Sequence, residues 1–275
     1  MKSRHEIGGL LYKPGSKLYF FYLTLKSKPD QVAGTLERIT HIFSKIRAPL
    51  FLLRAASSQN TVFQVVMLVD LAGCKQSAAS IADELRRVPL VSSVDYESSI
   101  TNGLALELRY FLLMLGGGRV ILMRKEVYEG LIRGGWERFG SGYGQLLYIT
   151  SFGIGRSMYR VYAGIAGDRD PLEIVAGLLQ LTGLGMVAYL ELDDDLRKAV
   201  VRVYDSFECE LFRGVGEIRG NLVRGMLAGW LAERWGGLGF DQVTAREVKC
   251  IARGDPHCEY HITASESRTS RTAED

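Results

Sequence analysis

The chain has 275 residues, 47% hydrophobic and 24% charged, which is enough for one large globular domain or two ordinary ones. Its 34 basic and 31 acidic side chains are interspersed and leave a formal net charge of +3, so nothing marks a direct nucleic-acid partner. The N-terminal stretch lacks the apolar core of a signal peptide, and the longest nearly uncharged run, 175 to 190, is too short for a membrane span. Four cysteines (Cys74, Cys209, Cys250, Cys258) are too sparse for a disulfide scaffold and suggest reduced thiols or a metal in a cytoplasmic protein.

In chain order, "KLYFFYLTLK" reads as a buried strand, and "KPDQVAGTLERITHIFSKI" as a helix with Val32, Leu36, Ile39, Phe43 and Ile46 on one face. "PLFLLRAA" and "TVFQVVMLVD" follow as two strands around the turn "SSQN". "QSAASIADELRRV" gives a second helix and "LVSSVDYE" a fourth strand. The order βαββαβ predicts a ferredoxin-like domain over 1–100 with an antiparallel sheet. This pattern resembles the ACT domain, a module that commonly binds amino acids and pairs its sheets in dimers. In ACT domains a glycine usually separates the first strand from its helix, whereas here the junction is "SKPDQVAG", with Asp30 and Gln31 at that point. The unit therefore reads as a dimerisation or scaffold domain, and a homodimer is expected.

Past "SSITNG" the composition shifts toward glycine and aromatics, and a second domain is expected over 101–264. "GGGRVILMRK" reads as a short strand, "KEVYEGLIRGGWERFG" and "GYGQLLYITSFGIGRSMYRVYAG" as successive helices, and "DPLEIVAGLLQLTGLG" as a helix capped by Asp170 or Asp168. "MVAYLELDDDLRKAVVRVYDSFECELF" predicts a hairpin with a solvated "DDD" turn, then extended chain. "EIRGNLVRGMLAGWLAERWGG" is a helix ended by glycines, with Gly225 and Gly229 on one face for close approach by a neighbour. "DQVTAREVKCIARGDPHCEYHITA" closes as two strands joined by "RGDP", and the polar tail over 265–275 is expected to be disordered. "FGSGYGQ" follows a helix and lacks the P-loop lysine, so no nucleotide site is read there, and no flavin or dinucleotide fingerprint is evident.

"DSFEC", "RGMLAGW" and "EVKCIARGDPHCEY" resemble the 4-vinyl reductase (predicted hydrocarbon-binding) domain family, with weaker similarity from about residue 102 onward. The resemblance implies an α/β small-molecule-binding domain in which helices and an antiparallel sheet enclose an apolar pocket. The family includes sensors of phenol-responsive activators and shares a fold with core subunits of the TRAPP tethering complex. It also implies a structural zinc site on Glu247, Cys250 and Cys258. The family's further cysteine precedes the glycine-spaced helix, where this chain has "RGVGEIRG". Cys209 is the nearest thiol, and His257 or His261 are alternatives. Two inert core cysteines beside a turn remain the competing reading of the residues.

Tyr148, Phe152, Gly155, Tyr159 and Tyr162 recur at helical spacing, as in ordinary core or a helix lining a cavity bordered by Trp230. Tyr148, Phe152, Tyr159 and Trp230 are the candidate ligand-binding residues. No base and orienting partner accompany any cysteine, so no catalytic site is expected. The expected function is a non-enzymatic regulatory or sensor protein binding a small apolar or aromatic molecule. The alternatives are a TRAPP-like assembly protein or a lipid or tetrapyrrole carrier, and then a vinyl reductase.

Overall fold

The computed structural model describes residues 6–59 and 61–265. Asn60 of the expected "SSQN" turn and the tail beyond Ser265 lie outside the described residues. The protein is a mixed α/β structure with several antiparallel sheets, and it divides into two compact units, Met1–Ile121 and Leu122–Asp275.

The first unit contains β1 (Leu10–Tyr12), β2 (Leu18–Lys26), α1 (Val32–Lys45), β3 (Leu50–Gln59), β4 (Val62–Asp70), α2 (Ala78–Arg86), β5 (Val91–Ser98) and β6 (Leu104–Leu106). A small hairpin, β7 (Met114–Leu115) with β8 (Gly118–Arg119), follows. The main sheet has the order β3-β4-β2-β5, with every neighbouring pair antiparallel. Phe21, Leu23 and Leu25 of β2 enter one core with Ile39, Phe43, Ile81 and Leu85 of the helices. Leu18, Phe20 and Tyr22 enter a second core with Val66, Leu68 and Ala105. Burial on both faces explains why β2 is apolar without alternation. The β1–β6 pair was not anticipated; it carries the first unit past residue 100. The β3 strand runs on to Gln59, so "SSQ" belongs to the strand rather than the turn.

Asp70 ends β4 and gathers this unit's loops. Its Oδ1 accepts backbone N–H groups of Lys17 and Ala72, both at 3.0 Å, and its Oδ2 accepts from Lys13 Nζ at 3.0 Å. Burial opposes the charge, but these donors, led by the Ala72 amide, outweigh it and hold the carboxyl at about 2. A depressed folded-state value means stability that is present above the unfolded value of 3.8 and lost as pH falls through 2. Asp70→Asn is expected to cost about 2 kcal/mol at pH 7. It should also flatten the acid limb of stability between pH 4 and 2, read by urea unfolding at each pH. An unchanged acid limb would remove Asp70 from this role.

The second unit contains α3 (Lys125–Ala163), α4 (Pro171–Leu181), β9 (Met186–Asp193), β10 (Lys198–Tyr204), α5 (Phe207–Glu210), α6 (Asn221–Arg234), β11 (Val243–Lys249) and β12 (Cys258–Ala264). Gly140, at φ 60° and ψ −144°, breaks α3 into the two helices expected from the sequence. The expected strand at "GGGRVILMRK" is limited to the two residues of β8. The four strands form an antiparallel sheet in the order β11-β12-β10-β9. Asp170 is the N-cap of α4, accepting from the Leu172 amide at 2.9 Å.

Two local expectations are corrected. The chain after β10 is not extended: Ser206 caps the short helix α5. The "DDD" turn is not merely solvated, because Asp194 accepts from Arg234 Nε and Nη2, each at 2.7 Å, and from Trp235 Nε1 at 2.9 Å. Arg234 Nη1 also holds both oxygens of Asp170 at 2.9 Å, tying the hairpin, α4 and the end of α6 together.

Candidate metal centre

Cys209, Glu247, Cys250 and Cys258 bring one ligand atom each to within 4.8 Å of one another, and all four are buried. Each comes from a different place. Cys209 is on α5, Glu247 is on β11, Cys250 opens the turn after β11, and Cys258 begins β12. The β11–β12 register pairs Glu247 with Tyr260, so Glu247 points to the inner face of the sheet. The turn is shaped by Gly254 at φ 110° and by Asp255, whose Oδ2 accepts the Cys250 amide at 2.8 Å. This accounts for the Gly-Asp between the two cysteines.

The chain approaching α6 completes the surroundings. The Gly220 amide donates to Glu247 Oε2 at 3.0 Å, the Arg219 amide donates to the Cys250 sulfur, and the Ile251 amide faces Cys258 Sγ at 3.5 Å. A Cβ at Gly220 would collide with the Tyr260 hydroxyl and lie 2.7 Å from Glu247 Oε2. A side chain here would force Tyr260 and Glu247 to shift, and the cluster's third thiol is that of Cys209, whose Sγ lies 3.9 Å from Glu247 Oε1. Neither alternative histidine joins the cluster: His257 and His261 both face Glu259, at 3.6 and 3.4 Å.

Next to Cys209, the fully buried Glu208 accepts the backbone amides of Asn221, Leu222 and Val223 at 3.0, 2.8 and 3.0 Å. It satisfies the first donors of α6 from outside the helix, with burial raising its carboxyl to about 7 against those three hydrogen bonds. Sequence reading missed this residue because its contact is with a helix that starts 13 residues later.

Burial, followed by the nearby Cys250 thiolate, pushes the Glu247 carboxyl up to about 9. Hydrogen bonds from Cys209 and Cys258 hold the Cys250 thiol far below its ordinary range, and the same Cys250 bond raises Cys209. Four acids thus crowd one dry site, and burial with mutual repulsion keeps them from all losing their protons together. A divalent cation would allow all four to ionise together. Three thiolates and a carboxylate are a closed tetrahedral donor set suited to zinc, and the residues present fit that ion.

The candidate ligand-binding residues lie elsewhere in the same core. Tyr148, Phe152 and Trp230 are buried and Tyr159 is half-buried, all between α3, α6 and the sheet. Tyr148 lies under the Arg224 guanidinium, 4.8 Å from the ring centre. Along this seam Gly155, Gly225 and Gly229 bring the two helix backbones into direct contact. The indole nitrogen of Trp230 and the hydroxyls of Tyr189 and Tyr260 are buried with no hydrogen-bond partner among the described residues. A separate cleft of about 140 Å³ is lined by Arg133, Trp136, Glu137, Phe212, Val215 and Arg219, none of them anticipated. No helix among the described residues is long and apolar enough to cross a membrane.

No protein-family model matches the chain, and no curated protein matches it in sequence. Among solved structures it is similar to the phenol-responsive sensory domain of the transcription activator PoxR, at 20% identity and TM-score 0.47, covering 55% of this chain and 79% of that one. A vinyl-4-reductase family protein from Methanocaldococcus jannaschii is similar at 17% identity and TM-score 0.32, over 44% of this chain and 68% of that one. The ACT domain of a GTP pyrophosphokinase from Chlorobium tepidum is similar at 18% identity and TM-score 0.24, over 30% of this chain and 99% of that one.

Proposed function

We propose that the chain is a non-enzymatic regulatory protein whose C-terminal unit binds a small apolar or aromatic molecule and is held in shape by a structural zinc. The convergence of Cys209, Glu247, Cys250 and Cys258 carries this reading. With four protein donors no coordination position is left for a substrate or water, which is the arrangement of structural rather than catalytic zinc. The ion would pin α5, β11 and β12 to the start of α6, the helix that also contributes Trp230 to the core. The N-terminal unit, with its βαββαβ order and central β2, is read as an ACT-like scaffold that pairs two copies of the chain.

Native mass spectrometry of the purified full chain, compared with its denatured mass, is the test. The expected result is an excess matching one zinc per chain, within a dimer, and no retained organic molecule. An excess of several hundred daltons would favour a carrier over a sensor. A metal-free mass from protein purified without chelator would overturn the clip.

A further inference from the structure

Trp136 and Phe212 meet edge to face, with ring centres 6.4 Å apart and planes at 77°. The Arg219 guanidinium lies over both, 4.2 Å from the Trp136 ring centre and 5.9 Å from that of Phe212. Arg133 and Glu137, on the same helix, line the same cleft with Val215. We propose that this cleft is a binding site for a single-ring aromatic carboxylate, a reading that rests on the ligand-binding role assigned to the unit.

Size, chemistry and support each favour that occupant. An enclosed cavity on the order of 150 Å³ is known to hold benzene, and the cleft here, open on one side, is about 140 Å³, which is room for one ring. The Trp136 and Phe212 rings line the cleft with apolar surface, and Arg219, already lying over both, is placed to sit between a ligand and the rings. The charged lining is two guanidinium groups against one carboxylate. Each guanidinium already engages carboxylates, Arg219 with Glu217 at 2.6 Å and Arg133 with Glu137 at 2.9 Å and Glu129 at 3.3 Å. Glu217 is 64% exposed, so its pairing with Arg219 contributes little, and a ligand carboxylate can take its place on a guanidinium whose position the rings have fixed.

The cleft is also braced. Trp136 packs against Gly144, where a Cβ would lie 2.6 Å from the indole. The segment carrying Phe212, Val215 and Arg219 runs from Cys209 to Gly220, anchored at both ends by the four-donor cluster. One wall of the cleft is therefore set by the cluster, which gives a route from occupancy to the packing of α5 and α6.

The experiment is isothermal titration of the zinc-replete full chain with benzoate, with benzamide and toluene as matched probes. Saturable benzoate binding is expected, at least tenfold tighter than benzamide, and weakened at least tenfold in both Arg219→Gln and Trp136→Leu. Arg133→Gln, which lies far from the cluster in sequence, should weaken it several-fold with zinc content and thermal midpoint unchanged. No saturable binding of benzoate overturns the site. Binding that survives the Trp136 and Arg219 changes but is lost in Tyr148→Leu overturns it too, while leaving a ligand-binding unit in place. Equal binding of benzoate and benzamide overturns the carboxylate assignment.

Discussion

Cys209→Ala is expected to release the metal and lower the thermal midpoint of the C-terminal unit by roughly 10 °C. Three remaining donors cannot close the tetrahedron, and Cys250, Cys258 and Glu247 stay buried against one another without a counter-charge. Breaking a buried set of charges in this way costs about 3–5 kcal/mol, and each kcal/mol is worth about 2–4 °C for a unit of this size. Chelation of the unaltered protein should produce the same loss. The comparison variant is Cys74→Ala, at a half-buried thiol in the first unit that hydrogen-bonds the Ile46 carbonyl at 3.6 Å. It should keep its zinc and its midpoint. Metal analysis and differential scanning calorimetry together decide the matter. If Cys209→Ala retains one zinc per chain, Cys209 is not the fourth donor.

What could be read beforehand follows how local each feature is. Glu247, Cys250 and Cys258 lie on one strand, one turn and one strand, so the family resemblance carried by that short stretch named them as a set. Cys209 is 38 residues from Glu247, and it could be named only as the nearest available thiol. Nothing local announced that Tyr260 and Glu247 would crowd Gly220. The long strand β2 and the helices α1 and α2 were legible because their apolar periods are strong. The three-residue strands β1 and β6 carry no period, and they exist because they cover the second face of the main sheet. The four-residue helix α5 was hidden for a similar reason. Its Ser206 cap is local, but Glu208 and Cys209 are held by contacts to α6 and β11. The aromatic–Arg cleft joins residues 133–137 to residues 212–219, a distance at which sequence spacing carries no signal. The aromatic stripe of α3 shows the opposite limit: its period was plain, yet whether it faced a cavity or a helix was not.

That stripe supplies the other large expected effect. A Cβ at Gly229 would fall well inside van der Waals contact of the Phe152 carbonyl oxygen and 3.0 Å from the Arg156 amide. Gly225 meets the Tyr148 carbonyl and the Ser151 hydroxyl in the same way, and Gly155 meets the Met226 carbonyl from the other side. These are mainly backbone atoms within regular helices, which cannot rotate aside as a side-chain tip can. Gly229→Ala must therefore push α6 away from α3, loosening the packing around Phe152 and Trp230. A cost of about 3 kcal/mol is expected, at the upper end for overpacking, despite alanine's better helix propensity. Gly153 is the matched control, because it is helical and exposed in α3 with open space where its Cβ would be. Gly153→Ala should instead stabilise by up to about 1 kcal/mol. Urea unfolding of the two variants thus predicts midpoints displaced in opposite directions. If Gly229→Ala is as well tolerated as Gly153→Ala, the helices do not cross backbone to backbone. There would then be room along the Tyr148–Phe152 seam for the ligand that the outer cleft is proposed to take.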